Sequence, residues 1–367
     1  MRFNTGLIVL FFSTSSLATN IATKHTIDES YWIKENKSEI FELLKSRPEL
    51  TIDHVSTSGF ELYGPKGLEG FLQQNLIEYR PLENANQNLR SEYPTPEAVE
   101  KDLKIIAKKY PGITKLYSIG KSVKNRDLWV MKLSRNANLD DDRPEFKYIA
   151  NMHGDEIVGR EVMLRFIKEC VENYGKDPRL TTLLDKFQIH ILVSMNPDGA
   201  AAGTRANSNH SDLNRDFPDF STSDNQDTTD KREPETQAVM KWQGEHNFRL
   251  SANFHGGSEV VNYPWDTIPD RFPEEDLVKD LSHEYAQNAP YIAASTTFSN
   301  GITNGFAWYE VNGGMQDWSI YWRKDLQITI ELSNSKWPDY SSIDYYYQQN
   351  RPALIKFIER IELIVKR

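Results

Sequence analysis

One cysteine among 367 residues, Cys170, excludes an intramolecular disulfide, so the fold must be held by its core or by a bound metal. Basic charge is also short: 43 Lys and Arg face 53 Asp and Glu, for a net charge of −10. That balance leaves no basic stripe to neutralise phosphates, which argues against nucleic acid as a partner. After the first residues, no stretch approaches the roughly 20 apolar residues needed to span a bilayer. No GxSxG elbow occurs, so a serine hydrolase of that type is excluded. No internal repeat or low-complexity tract is present. What remains, 38% hydrophobic and 26% charged residues, is globular composition, long enough for one large domain and a smaller one.

Residues 1–18 read as an export signal. Arg2 supplies the positive charge, Gly6 to Phe12 the apolar core, and Ser16 and Ala18 the small residues of a cleavage site. A secreted or periplasmic protein follows, with no membrane span and a monomeric state expected. Residues 19–80 read as a small α/β module. Ile40, Phe41, Leu43 and Leu44 keep a helical rhythm that stops at Pro48; Leu68, Phe71 and Leu72 mark a second short helix; Leu50–Val55 and Leu76–Arg80 look like strands. Residues 81–90 are polar, with Asn84, Asn86, Gln87 and Asn88, and read as an exposed linker.

Residues 91–367 form the main domain. Strand-like runs at Leu128–Leu133, Phe146–Asn151, Phe187–Ser194, Phe248–His255 and Leu326–Leu332 alternate with helical patterns at Pro96–Lys109, Ile157–Asn173, Glu233–Asn247, Glu274–Gln287 and Pro352–Val365. The alternation predicts an α/β fold, a mixed β-sheet covered by helices on both faces, with loops at the strand ends free to hold a site. Cys170 falls among Met163, Phe166 and Ile167 at helical spacing and reads as a buried structural thiol.

Chemistry gathers at two strand ends. Tyr148 to Glu156 closes a buried run with His153 and Glu156 three residues apart, where a helix begins. Alone, this HxxE pattern is also a common polar turn. Ser251 to Gly257 offers a third donor, His255, followed by two glycines that let backbone approach an ion or ligand. Two His and one Glu leave a zinc ion one open position, the catalytic type of site, in which bound water titrates near pH ~7. His190 lies within a strand and His246 near a helix end, where the helix dipole favours it. His210 is in a polar loop, and His25, His54 and His283 lack an acidic partner at ligand spacing. All six read as structural or solvated.

From about Ser91 onward the chain resembles the N/E branch of the zinc metallocarboxypeptidases, the group that includes carboxypeptidases D, E, M and N. Five stretches carry the resemblance in order: Asn151-Met-His-Gly-Asp-Glu156, Ser194-Met-Asn-Pro-Asp-Gly199, Asp212-Leu-Asn-Arg-Asp-Phe-Pro218, Ala252-Asn-Phe-His-Gly-Gly257, and Gly305 to Glu331 with Gly313-Gly-Met-Gln-Asp317 inside it. It implies removal of the C-terminal residue from peptides or proteins with a free C-terminus. His153, Glu156 and His255 would hold one Zn2+, and Glu331 would be the general base, a carboxylate able to take a proton from water and pass it to the leaving amine. Asn214 and Arg215 would clasp the terminal carboxylate, which a guanidinium fork beside an amide suits. Arg205 would polarise the scissile carbonyl and Tyr309 would cover bound substrate.

The family's specificity positions fall on Asp266 and Gln316, and a buried acid there selects Lys or Arg. Two other readings stay open. Some members of the branch have lost key residues and act as peptide-binding modules, against which all ligands, Glu331 and Arg215 stand; some wider relatives cut cell-wall peptides, against which Asp266 stands. The chain departs from the branch in Asp155 and Asp216, where relatives usually have Asn. It stops at Arg367, where relatives continue into a small β-sandwich, so that domain is expected to be missing. It also carries the module before Pro81. The digestive branch has a helix-and-strand prosegment in that place, and the module is expected to shield the cleft until cut within Pro81 to Pro96.

Overall fold

The computed structural model describes residues 25–34, 38–82, 87–139 and 141–365; the stretch 1–18 read as an export signal and residues 83–86 of the stretch read as linker lie outside the described residues. In the N-terminal module, β1 (Glu29–Ile33), β2 (Thr51–Ser56), β3 (Gly59–Gly64) and β4 (Tyr79–Pro81) form an antiparallel sheet in the order β2-β3-β1-β4. Leu44 of the helix Ser38–Lys45, and Leu68 and Leu72 of the helix Leu68–Gln74, bury against Ile33, Phe60 and Leu62. The module thus has its own core. Two of its strands, β1 and β3, are absent from the sequence expectation, since each is short and interrupted by Glu, Ser or Gly. Leu76, expected in a strand, instead sits at φ 54 and is 92% exposed, so β4 starts at Tyr79. Within the polar stretch read as linker, residues from Gln87 onward form a helix, Gln87–Glu92.

The main domain has an eight-stranded sheet. Its strands are β5 (Thr114–Lys121), β6 (Asp127–Leu133), β7 (Glu145–Ala150), β8 (Gln188–Leu192), β9 (Phe248–His255), β10 (Ser258–Tyr263), β11 (Ile302–Asn304) and β12 (Leu326–Ser333), in the order β11-β10-β12-β9-β7-β8-β6-β5. β7 runs parallel to β8 and β9, and β9 parallel to β12, whereas β5, β6 and β10 pair antiparallel to a neighbour. The sheet is therefore mixed, as expected.

Period-two alternation divides β7 between two cores. Phe146, Tyr148 and Ala150 meet Val162 and Phe166 of the helix Val158–Asn173 on one face, while Ile149 meets Val239 and Trp242 of the helix Pro234–Gly244 on the other. Cys170 is buried in the first core, and burial pushes its thiol far up, in keeping with an inert role. The last long helix, expected from Pro352, begins at Ile343 and holds Pro352 in its interior. Its buried face runs through Ile343, Tyr347, Asn350 and Leu354, and the two polar members conceal the helical period. Among the described residues no helix is long and apolar enough to cross a membrane.

Candidate active site

Parallel strands bring their C-terminal ends to one crevice, where α/β sheets place ligands. β7 leads through Asn151, in a left-handed turn at φ 56, to His153 and Glu156; β9 ends on His255; Glu331 on β12 is in register with His255. His153 Nδ1 lies 2.9 Å from Glu156 Oε1, and His255 Nδ1 lies 2.9 Å from Glu156 Oε2 and 3.1 Å from His153 Nδ1. All three side chains are buried.

The far nitrogens are already used. His153 Nε2 is 3.1 Å from Asp212 Oδ1, and His255 Nε2 is 2.7 Å from the Asn253 amide. At His153 the Asp212 carboxylate accepts from Nε2–H, which fixes that tautomer and turns the His153 Nδ1 lone pair inward. Two imidazole nitrogens and a carboxylate converging in a buried pocket fit a zinc-type cation. Burial opposes charge on Glu156, but His153 and His255 outweigh it and hold the carboxyl well below its usual range.

Arg205 reaches the crevice from the loop after the helix Pro197–Ala202. Its Nε donates to Asp212 Oδ2 at 2.9 Å and its Nη1 to Glu156 Oε1 at 3.3 Å. Burial weighs against its charge, yet Asp212 and Asp53 keep it firmly protonated. Asn214 accepts from Met315 N at 3.0 Å, which fixes its amide beside Arg215. The sequence motif around Asp212 was read for Asn214 and Arg215 alone. Its acid, bonded to both His153 and Arg205, is a positioning residue that the reading missed.

Beyond Arg215 lies the pocket around Asp266. Asp266 is buried and accepts from Gln316 Nε2 and from Asn262 Nδ2 at 3.1 Å. Asp317 holds the loop from behind, accepting from Asp266 N and Thr267 N, both at 2.9 Å. Burial pushes the Asp266 carboxyl up to about 6, with Gln316 and Asn262 pulling the other way. Gly305 forms the facing wall, and a Cβ there would stand 1.6 Å from Asp266 Oδ1. All ten residues singled out in the sequence line one cavity, with Asn262, Gly305 and Thr329 beside them. Of the two departures, Asp155 lies 3.8 Å from Lys336 Nζ, whereas Asp216 Oδ2 accepts from Glu233 N at 2.7 Å. Burial raises Asp216 to about 7, so it carries less negative charge than its type implies.

The same cavity is lined by Asp53 of the module. The pairing of β2 with β3 slips between Asp53 and Ser56, and His54 takes φ 47, so this bulge turns Asp53 and His54 out of the sheet into the crevice. The Asp53 carboxylate pairs with Arg205 and accepts from the Tyr309 hydroxyl. Ile52 O accepts from Arg215 Nη2 at 3.3 Å, and Val55 O from Trp308 Nε1 at 2.8 Å. His54 Nε2 lies 3.9 Å from Glu331, its Nδ1 is 3.0 Å from Glu61, and its ring fills the space a Cβ on Gly257 would need, 2.3 Å away. Glu61 in turn pairs with Lys336 at 2.6 Å. The sequence reading of His54 as lacking an acidic partner at ligand spacing is therefore corrected: Glu61 reaches it across the β2–β3 hairpin and Glu331 from β12, far along the chain.

Comparison with known proteins places this geometry. Mouse (Mus musculus) carboxypeptidase M is 41% identical over 301 residues, covering 75% of this chain and 67% of that protein. Duck (Anas platyrhynchos) carboxypeptidase D is 43% identical over 284 residues, 71% of this chain but only 20% of that protein. The crystal structure of carboxypeptidase A from Helicoverpa armigera superposes with a TM-score of 0.72 over 92% of this chain and 97% of that one, at 19% identity, a likeness of fold. Residues 99–353 match the family described as zinc carboxypeptidase. With its crevice built on strands inside that matched stretch, the chain belongs to the zinc carboxypeptidase family.

Proposed function

We propose that the protein is an exported zinc exopeptidase that releases C-terminal Lys or Arg from peptides and is kept latent by its own N-terminal module. The observation that carries the basic preference is the buried Asp266, whose hydrogen-bond partners are the neutral amides of Asn262 and Gln316. A cationic side chain supplies the opposite charge that a buried acid lacks, whereas an aromatic one leaves it unpaired.

Zinc held by His153, Glu156 and His255 supplies Lewis acidity and a lowered pKa for water. The protein's own groups do the rest. Asn214 and Arg215 clasp the terminal carboxylate, which restricts cleavage to the last bond. Arg205, held by Asp212, faces the oxygen on which charge develops. Glu331 takes the proton of the attacking water and returns it to the leaving amine; its buried Oε2 has no hydrogen bond from the catalytic domain and faces only His54 Nε2 of the module, 3.9 Å away, a neighbour that leaves with the module. Stripping the metal with a chelator is expected to abolish turnover and added zinc to restore it; turnover that survives complete removal refutes this reading.

Peptides ending in Lys, Arg, Phe or Leu separate the specificity claim from the chemistry. Lys and Arg are expected to lead, and Asp266→Asn to cost about 10²–10³-fold in kcat/KM on them, the scale of a buried charge left unpaired. The acid is charged above its pKa and neutral below it. With that pKa at about 6, kcat/KM for a Lys-ended peptide falls as pH drops through 6, and the slope is shallower in Asp266→Asn. A preference for Phe would overturn the pocket assignment and leave the metal chemistry standing.

Latency is supported by Asp53, which pairs with the guanidinium that substrate needs, and by Ile52 O, which occupies Arg215. The module blocks both anchors without occupying the basic-residue pocket.

A further inference from the structure

A second cluster of metal-ligating side chains lies at the opposite end of the sheet. Glu145 opens β7, His190 is in the middle of β8, and His246 sits in the turn that leads into β9. His246 Nδ1 is 2.6 Å from Glu145 Oε1, and His190 Nε2 is 3.7 Å from the same oxygen. One carboxylate oxygen therefore stands between two ring nitrogens. The other oxygen of Glu145 accepts from Asn247 N at 2.7 Å, which anchors the carboxylate.

His190 is the odd member. It is 1% exposed, and its Nε2 has no hydrogen-bond partner, although buried ring nitrogens are ordinarily satisfied. Its Nδ1 lies 2.7 Å from the Tyr117 hydroxyl, which also accepts from Trp242 Nε1 at 2.9 Å. An Nδ1–H donated to Tyr117 leaves the Nε2 lone pair aimed at Glu145 and His246, the arrangement by which an outer partner fixes a ligand histidine. Burial, with His246 and Lys132, holds this ring well below its usual pKa and so neutral. The cluster opens on a surface cavity that Lys115, Lys132, Asp141 and Glu245 also line. Of these, Asp141 and Glu245 add negative charge and the two lysines oppose it.

We propose that Glu145, His190 and His246 form a second divalent-metal site, selective for ions that favour imidazole, such as Zn2+, over Mg2+ or Ca2+. It ties the start of β7 to β8 and to the turn before β9, away from the crevice that hydrolyses peptides. The sequence reading took His190 and His246 as structural from their places in a strand and near a helix end; their carboxylate partner precedes them by 45 and 101 residues, beyond any local spacing.

Metal content of the intact protein tests this. The chain is stripped with a chelator, dialysed against micromolar zinc and then against buffer, and its zinc is measured by mass spectrometry. Two ions per chain are expected in the wild type, one in His246→Asn and in Glu145→Gln, and one in His153→Ala, which empties the crevice instead. Cobalt substitution gives a second readout, since His246→Asn removes only the absorbance of the outer site. Glu145 and His246 are partly exposed, and circular dichroism checks that both variants are folded. One ion in the wild type, or a second ion that persists in both His246→Asn and Glu145→Gln, overturns the site. So does a second ion that washes out on dialysis.

Discussion

Full-length protein carrying Asp53→Ala is expected to cleave a Lys-ended peptide about 10–10²-fold faster than the unaltered full-length chain, because a lost charge-assisted hydrogen bond costs ~1.5–3 kcal/mol and each ~1.4 kcal/mol is tenfold. The bond in question joins Asp53 to Arg205. Arg205 is not orphaned by the change, since Asp212 still accepts from its Nε at 2.9 Å, so the cost falls on the closed arrangement and not on the open one. Other ties between module and domain remain, among them Lys45 to Glu310 at 3.0 Å, Ile27 N to His210 O at 2.7 Å and Lys336 to Glu61 at 2.6 Å. Their survival means that Asp53→Ala loosens the module at the crevice without shedding it. A protein beginning near Ser91 should therefore be faster still. Equal rates for the full-length chain, Asp53→Ala and the shortened form would sink the inhibitory role and leave the module a structural appendage.

The parts of this site that sequence could display are those whose chemistry is local. His153 and Glu156 are three residues apart at one strand end, and His255 closes another strand beside two glycines, so each announced a turn with ligating groups on it. The central strands β7, β9 and β12 were legible for a related reason: apolar residues recur at every second position, as in Phe248, Leu250, Ala252 and Phe254 or Leu326, Ile328, Ile330 and Leu332. What escaped depends on partners distant along the chain. Asp212 acquires its role only when the fold brings it to His153, 59 residues before it. Asp53 and His54 face the crevice because of a β-bulge, a feature of pairing with β3 that no periodicity reveals. β10 and the helix Met315–Arg323 were missed because function fills them with polar residues: Asn262, Gln316 and Asp317 are buried to shape the pocket around Asp266, against the hydrophobic pattern by which buried elements are recognised.

Glu331→Gln carries the other large expected effect, and it is best measured in the form lacking the module so that latency does not mask it. The substitution keeps the shape of the side chain and removes its basicity. We expect kcat to fall by ~10²–10⁴-fold, the usual contribution of a positioned general base, with KM for a Lys-ended peptide little changed, because the substrate anchors proposed above are Arg215, Asn214 and Asp266. Zinc content is expected to match the parent, since Glu331 is distinct from the converging set of His153, Glu156 and His255. A fall in both kcat and zinc would instead mean that Glu331 helps hold the metal. Turnover within a few-fold of the parent would remove it as base, and the remaining acids lining the cavity leave few substitutes. Glu156 is committed between two imidazoles. Asp266 is held by the amides of Asn262 and Gln316. Asp53 is absent from the shortened chain. The carboxylate on β12, in register with His255, is the one whose buried oxygen is left free to accept a proton.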